Sequence, residues 1–234
     1  MPYAGWVITA RKTEMGWFAA ALIFAILDWL AVYFQKLRWR WLTKTGAMLC
    51  LIAAYTYSGG WLVSFLFGVG LLFSLAGDVF LLLPPRFFMA GLSSFLFTHL
   101  AYILALSHPP SPWQPIGFLT LAMLLVIVFF VFRQLSAALQ GHPSGRRLKP
   151  AVLLYILTIS AMVYFALSTL WNPAWNFSAA LLVSLGALLF YLSDYTLARQ
   201  RFIRSTRSGR ALVMVTYHLA QFGLIAGFLL RGHV

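Results

Sequence analysis

Residues 61–83 read WLVSFLFGVGLLFSLAGDVFLLL, an apolar run whose single charge is Asp78, and Pro84-Pro85 follows at once. A run of this length covers the hydrocarbon core of a bilayer as one helix, for which about 20 residues are needed. The charge inside it is informative, because a lone carboxylate in hydrocarbon costs about 2.5–3.5 kcal/mol on insertion scales and so asks for a partner or a function. Outward from this stretch, further apolar windows fall at residues 16–34, 43–57, 88–107, 115–132, 150–170, 178–198 and 211–230. Ser58-Gly59-Gly60, Pro109–Pro115, His142-Pro143-Ser144-Gly145 and Asn172-Pro173 break the chain between them. Inside a bilayer all backbone groups must pair within the chain, which favours helices over an open sheet. The expected fold is an all-α integral membrane protein with eight transmembrane helices, residues 1–234 forming a single polytopic membrane domain.

Composition agrees. The 234 residues are 62% hydrophobic and 9% charged, whereas soluble chains average roughly 45–50% apolar and about 25% charged. Eight spans leave short connections and no room for a second soluble domain. Cys50 is the single cysteine, so no intrachain disulfide staples the fold. No cleavable signal is expected, since the first apolar stretch contains Asp28 and continues into Trp29–Phe34 without a small-residue cleavage site.

Charge sets the expected orientation. Lys36, Arg38, Arg40 and Lys44 follow the first window and Arg86 follows the third. Arg133, Arg146, Arg147 and Lys149 follow the fifth, and Arg199, Arg201, Arg204, Arg207 and Arg210 the seventh. These alternate connections hold fourteen of the seventeen basic residues, leaving Arg11, Lys12 and Arg231 for the other side. The positive-inside rule puts the fourteen in the cytoplasm and both termini outside it, the expected setting being a bacterial inner membrane. Topology and anionic headgroups thus account for the net charge of +13, and no nucleic-acid partner is called for.

The chain also repeats itself. Gly70, Leu72, Gly77, Asp78 and Leu81 correspond to Gly186, Leu188, Ser193, Asp194 and Leu197 at one offset. Thr98-His99-Leu100-Ala101 resembles Tyr217-His218-Leu219-Ala220, and Lys44-Thr45 resembles Lys149-Pro150. Two parallel four-helix repeats are expected, with halves at about 1–110 and 111–234, related by an axis along the membrane normal.

Of four acidic residues, Asp28, Asp78 and Asp194 lie within predicted spans. Asp78 and Asp194 are expected four or five residues from the cytoplasmic ends of their helices, brought face to face by the repeat. Simple structural pairs are the bland alternative, Asp194 with Arg199 or Asp28 with Lys44. His99 and His218 lie deeper, either as buried neutral histidines bonding a neighbouring helix or as a supporting polar cluster with Asp28, Tyr102, Tyr217 and Gln221. No ligand pair is preset on one helix face, so no metal site is expected. There is no nucleophile elbow and no Walker loop.

These residues carry a family likeness. Gly77-Asp78-Val79-Phe80-Leu81-Leu82, then Phe87, Gly91-Leu92, Phe95, His99 and Tyr102, resembles the YhhN family of membrane lysoplasmalogenases. Gly186-Ala187, Phe190, Ser193-Asp194, Phe202, Tyr217 and Gln221 are similar to its later signature, so the likeness covers about residues 40–225. Lys44-Thr45 departs from the Lys-Pro expected at the second helix, although Lys149-Pro150 occurs in the second half. The resemblance implies hydrolysis of the vinyl ether bond of a lysoplasmalogen, a lysophospholipid with an alkenyl chain, to a fatty aldehyde and a glycerophospho-base. Such bonds resist base and break by protonation of the carbon distal to oxygen, giving an oxocarbenium ion that water captures. Two close carboxyls in a low-dielectric cavity do not both ionise easily, so Asp78 and Asp194 are the expected acid and anion. No cofactor is called for. Lys44, Lys149, Arg86 and Arg199 are the candidates for the substrate phosphate. A proton-coupled transporter, or a scaffold whose polar residues only join helices, are the competing readings.

Overall fold

Among the described residues, eight long helices account for most of the chain. They are α1 (Tyr3–Tyr33), α2 (Arg40–Tyr57), α3 (Phe65–Leu82), α4 (Phe88–Leu106), α5 (Pro115–Ala138), α6 (Gly145–Ser168), α7 (Phe177–Phe202) and α8 (Arg207–Arg231). The computed structural model describes residues 3–141 and 145–231, with side chains described at Thr13 and from Met15 onward. His142, Pro143, Ser144 and His233 lie outside the described residues, as do the side chains of Arg11 and Lys12. No strand occurs among the described residues. Seven of the helices are long and apolar enough to cross a membrane; the chain is a multi-pass integral membrane protein. The helix outside that group is α2, whose eighteen residues include Arg40, Lys44 and three threonines.

Local chemistry sets the helix ends. The Ser64 hydroxyl accepts from Phe67 N–H at the start of α3, and the Asn176 side chain accepts from Ala179 N–H at the start of α7. Pro115 opens α5, where its missing N–H costs nothing. After α2 the chain turns at Gly59, whose φ of 71° lies in the left-handed region that glycine reaches without a Cβ clash. Several helices overrun their apolar windows. α5 continues to Ala138, α7 to Phe202, and α6 starts at Gly145 with Pro150 inside it rather than opening it. Hydropathy marks the lipid-covered part of a helix, and the backbone keeps its own bonds through the interface.

Sequential helices pair as hairpins, α1 with α2, α3 with α4 and α7 with α8. The last pair is the closest. A Cβ added at Gly186 would meet Leu224 N at 2.8 Å and Ala220 O at 2.9 Å, and one at Gly227 would meet Ala179 O at 2.7 Å. Small residues allow this approach where lipid offers no hydrophobic push between helices. α2 runs along α8: Arg40 Nη2 meets Met214 Sδ at 3.0 Å near one end, and near the other Tyr55 packs tilted against Phe67 of α3, which stacks on Phe228.

The connections sort to two ends of the bundle. At one, Asn172 Nδ2 donates to Pro109 O, Arg231 Nη2 to His108 O and Asn176 Nδ2 to Leu230 O. At the other, Arg201 lies over the Phe88 ring and Arg40 reaches α8. The second is the basic end.

Candidate active site

Among the described residues three carboxyl groups are buried in the helical bundle, and each has its own partners. Asp78, on α3, is fully buried. Lys44 Nζ lies 3.0 Å from its Oδ1, and Tyr217 OH donates to its Oδ2 at 2.7 Å. The network extends inward from Tyr217. Ser74 Oγ lies 2.9 Å from Tyr217 OH, Gln221 Nε2 donates to Ser74 Oγ at 2.6 Å, and Tyr102 OH donates to Gln221 Oε1 at 3.1 Å. Each side chain of this Asp78 network thus has a partner, as burial in a low dielectric requires.

Asp194, on α7, forms a second centre. Tyr155 OH, from α6, and His99 Nε2, from α4, both bond its Oδ2, the histidine at 3.1 Å. The same Nε2 lies 3.2 Å from Tyr155 OH, closing a triangle. The histidine ring packs edge-on against Phe190, centroids 4.8 Å apart. Asp194 keeps 9% of its surface exposed, whereas Asp78 keeps none.

That difference follows from what surrounds them. α5 packs loosely, with few of its residues buried, and it leaves a groove against α4, α6 and α7. Asp194 and Tyr155 line the inner part of this groove; Leu92, Val131, Ile156, Ile159 and Ala198 supply apolar walls. Phe88, Leu135, Val152 and Phe202 line it toward the basic end. Arg201 sits 4.7 Å over the Phe88 ring and Arg199 5.8 Å over the Tyr195 ring, so two guanidiniums are held on rings that line the groove. Beside the groove Tyr195 OH donates to Gln134 Oε1 at 2.6 Å, tying α7 to α5.

Several expectations are corrected by this geometry. Asp78 and Asp194 do not face one another. Phe190 packs against His99 of one centre and against Tyr217 of the other, with Phe95 edge-on to both Phe190 and Tyr217. Aromatic volume thus occupies the space where a shared proton was expected. Asp194 lies eight residues from the end of α7, about 12 Å at 1.5 Å per residue, because that helix runs unbroken to Phe202. Lys44 is not a rim cation: it is 3% exposed and spent on Asp78. Neither bland pair forms. Asp28 accepts from Arg40 Nε at 3.2 Å and Thr43 Oγ1 at 3.0 Å. His218 joins neither aspartate cluster; its Nδ1 accepts from Trp29 Nε1 at 2.9 Å. Arg86 and Arg199 are exposed at the basic end and Lys149 is half-buried one turn before Val152.

Tyr155, Ser74 and Arg201 are the partners that sequence reasoning misses. The repeat carries a partial signal for the first. Asp78 is met by the helix before it, α2, and by the last helix of the other half, α8; Asp194 is met by α6 and α4 in the same way. The pattern identifies α6 as the supplier of a partner, but a phenol does not align with Lys44.

The YhhN family profile matches residues 39–228, more than half of the chain. The chain belongs to the YhhN family. Among curated proteins, lysoplasmalogenase TMEM86A of Bos taurus is 31% identical over 156 residues, 65% of this chain and 60% of that protein. Lysoplasmalogenase TMEM86B of Mus musculus is 31% identical over 185 residues, 79% of this chain and 73% of that protein. The match therefore spans about 60% of the length of the TMEM86A relatives. No solved structure matches the chain. The YhhN match takes in α2 to α8 up to Phe228, and with them both aspartate centres and the groove.

Proposed function

We propose that this protein hydrolyses the vinyl ether bond of lysoplasmalogens, releasing a fatty aldehyde and glycerophosphoethanolamine or glycerophosphocholine. The observation that carries the reading is an apolar groove along α4–α7 with a carboxyl group, Asp194, in its inner wall. YhhN membership and relatives named lysoplasmalogenase support it. An acid in an apolar setting suits the chemistry, since protonation of the alkenyl carbon starts the reaction and excess water would solvate the acid instead.

The groove also suits the shape of the substrate. From phosphorus to the alkenyl carbon that takes the proton are seven bonds, about 9 Å end to end with ordinary bond lengths. The climb from the end of α7 to Asp194 is about 12 Å. A phosphate at the basic end, met by Arg86, Arg199 or Lys149, sets the ether beside the acid. The alkenyl chain then leaves toward lipid between α5 and α7.

The same proposal includes the frame. α2 is an eighth span, because it runs along α8. Residues 1–110 and 111–234 are parallel repeats, supported by the matching supply of partners to Asp78 and Asp194. The basic end faces the cytoplasm and both termini lie on the opposite side.

Purified protein in detergent, given an alkenyl lysophospholipid, is expected to release aldehyde that mass spectrometry detects. Recovery of the lipid unchanged would overturn the function and leave a carrier or scaffold in its place.

A further inference from the structure

We propose that proton transfer is confined to one side of the molecule: Asp194 alone exchanges protons with substrate and water, Tyr155 and His99 position it, and the Asp78–Lys44 pair takes no part in the chemistry. This rests on the hydrolytic reading above and divides its labour between two carboxyls that the repeat makes look equivalent.

Each oxygen of Asp78 is engaged, Oδ1 with the Lys44 ammonium and Oδ2 with Tyr217, and the residue has no exposed surface. No oxygen is left to face a substrate. At Asp194 both partners, Tyr155 OH and His99 Nε2, converge on Oδ2, and the residue lines the groove. Oδ1 is therefore the oxygen offered to the lipid. The two centres differ in one further respect. The helix preceding the aspartate contributes a cation, Lys44, at one centre and a neutral phenol, Tyr155, at the other. A cation closes the first centre on itself, while the phenol leaves the second centre room for a carboxylic acid.

One carboxyl suffices for a balanced cycle. The neutral acid gives its proton to the distal alkenyl carbon, the carbon–carbon double bond supplying the electron pair, and the ether-bearing carbon becomes an oxocarbenium ion. The carboxylate just formed lies beside that cation and stabilises it. Water adds to the cationic carbon and gives a proton back to Asp194. The hemiacetal then loses the glycerol oxygen as an alcohol, leaving the aldehyde. Nothing else is consumed. Tyr155 and His99 hold Oδ2 throughout, which keeps Oδ1 aimed at the lipid as the charge changes.

Dicyclohexylcarbodiimide, an apolar reagent that adds to protonated carboxyls in membranes, tests the division on the unaltered protein. The expected adduct is on the peptide carrying Asp194, and a saturated-ether lysophospholipid, which cannot be hydrolysed, slows its formation. An adduct on Asp78 instead, or none on Asp194, overturns the proposal. A second arm uses paired substitutions, because removing one partner strands a buried charge. Lys44→Met with Asp78→Leu, and separately Lys44→Gln with Asp78→Asn, are expected to keep turnover within about tenfold, while Asp194→Asn loses at least about a thousandfold. Thermal melting in detergent identifies which pairs fold. A folded pair without turnover, or an active Asp194→Asn, sinks the assignment. Tyr155→Phe is expected to lower kcat about tenfold or more with KM nearly unchanged and Asp194 still labelled; a change in KM alone overturns its positioning role. Absence of aldehyde from the unaltered protein is a different outcome, which removes the hydrolytic reading itself.

Discussion

In the proposed mechanism Asp194 gives its proton to carbon, and carbon retains it. In heavy water the aldehyde is therefore expected to carry one deuterium at its alpha position, provided that the aldehyde is reduced to the alcohol at once so that exchange neither adds nor erases label. Turnover is also expected to slow, since proton transfer to carbon limits the rate. Product without alpha deuterium would mean that hydrolysis does not begin by carbon protonation. Asp28 sits outside this chemistry, bonded to Arg40 and Thr43. Asp28→Asn is expected to keep substantial turnover while lowering the melting temperature, as it leaves Arg40 without its counter-ion. Turnover abolished in a folded Asp28→Asn protein would bring α1 into the site. The buried ionisable residues are legible in the sequence for one reason: a carboxylate or imidazole is rare and costly in an apolar helix, so Asp78, Asp194 and His99 stand out. Tyr155 and Ser74 do not, because tyrosine and serine are ordinary in membrane helices and become informative only when folding brings α6 to α7 or α3 to α8. Their pairing is a tertiary fact with no trace in local spacing.

Helices were legible in the same way, and their ends were not. The apolar windows locate all eight long helices, because a bilayer demands both length and internal backbone pairing. Yet the windows stop α7 at 198 and start α6 at 150, and both helices are longer. Those extra residues set Asp194 about 12 Å from the helix end rather than one turn in. Helix contacts depend on finer features. Gly223 and Gly227, four apart on α8, face Gly186 and the turn of α7 at Ala179 and Val183 respectively, the small-residue spacing that permits close crossing. Gly186→Ala and Gly227→Ala would force a Cβ to within 2.9 Å of backbone atoms on the facing helix. Each is expected to cost about 1–3 kcal/mol and to lower the melting temperature in detergent. Gly16→Ala serves as the comparison, because its added Cβ meets nothing within 4 Å. If all three melted alike, the close α7–α8 crossing would not be the feature that glycine serves.

For the whole molecule the decisive quantity is how charge is divided between the two ends. Fourteen of seventeen basic residues fall at 36–44, 86, 133–149 and 199–210, in the helix ends and turns of one end. The end is a real feature of the bundle, since Arg40 meets the start of α8 and Arg201 the start of α4 there, while Arg231, Asn172 and Asn176 tie the other end together. In the proposed frame, an even helix number and asymmetric charge act together: eight crossings would put both termini on one side, and the basic end would hold that side away from the cytoplasm. The groove belongs to the same geometry, because Phe88, Leu135, Val152 and Phe202 line it toward the basic end. Under the proposed function, orientation would therefore set the leaflet from which the lipid enters. A reporter fused after residue 234 that is active only outside the cytoplasm is expected to work, and one active only inside to fail. Should α2 lie along the surface instead of crossing, the chain would have seven spans and a reporter fused after residue 2 would differ from the C-terminal one. Agreement between the two fusions, both outside, is the expected result. Both inside would reverse the groove to the outer leaflet, and a disagreement would remove α2 from the spans and the repeat with it.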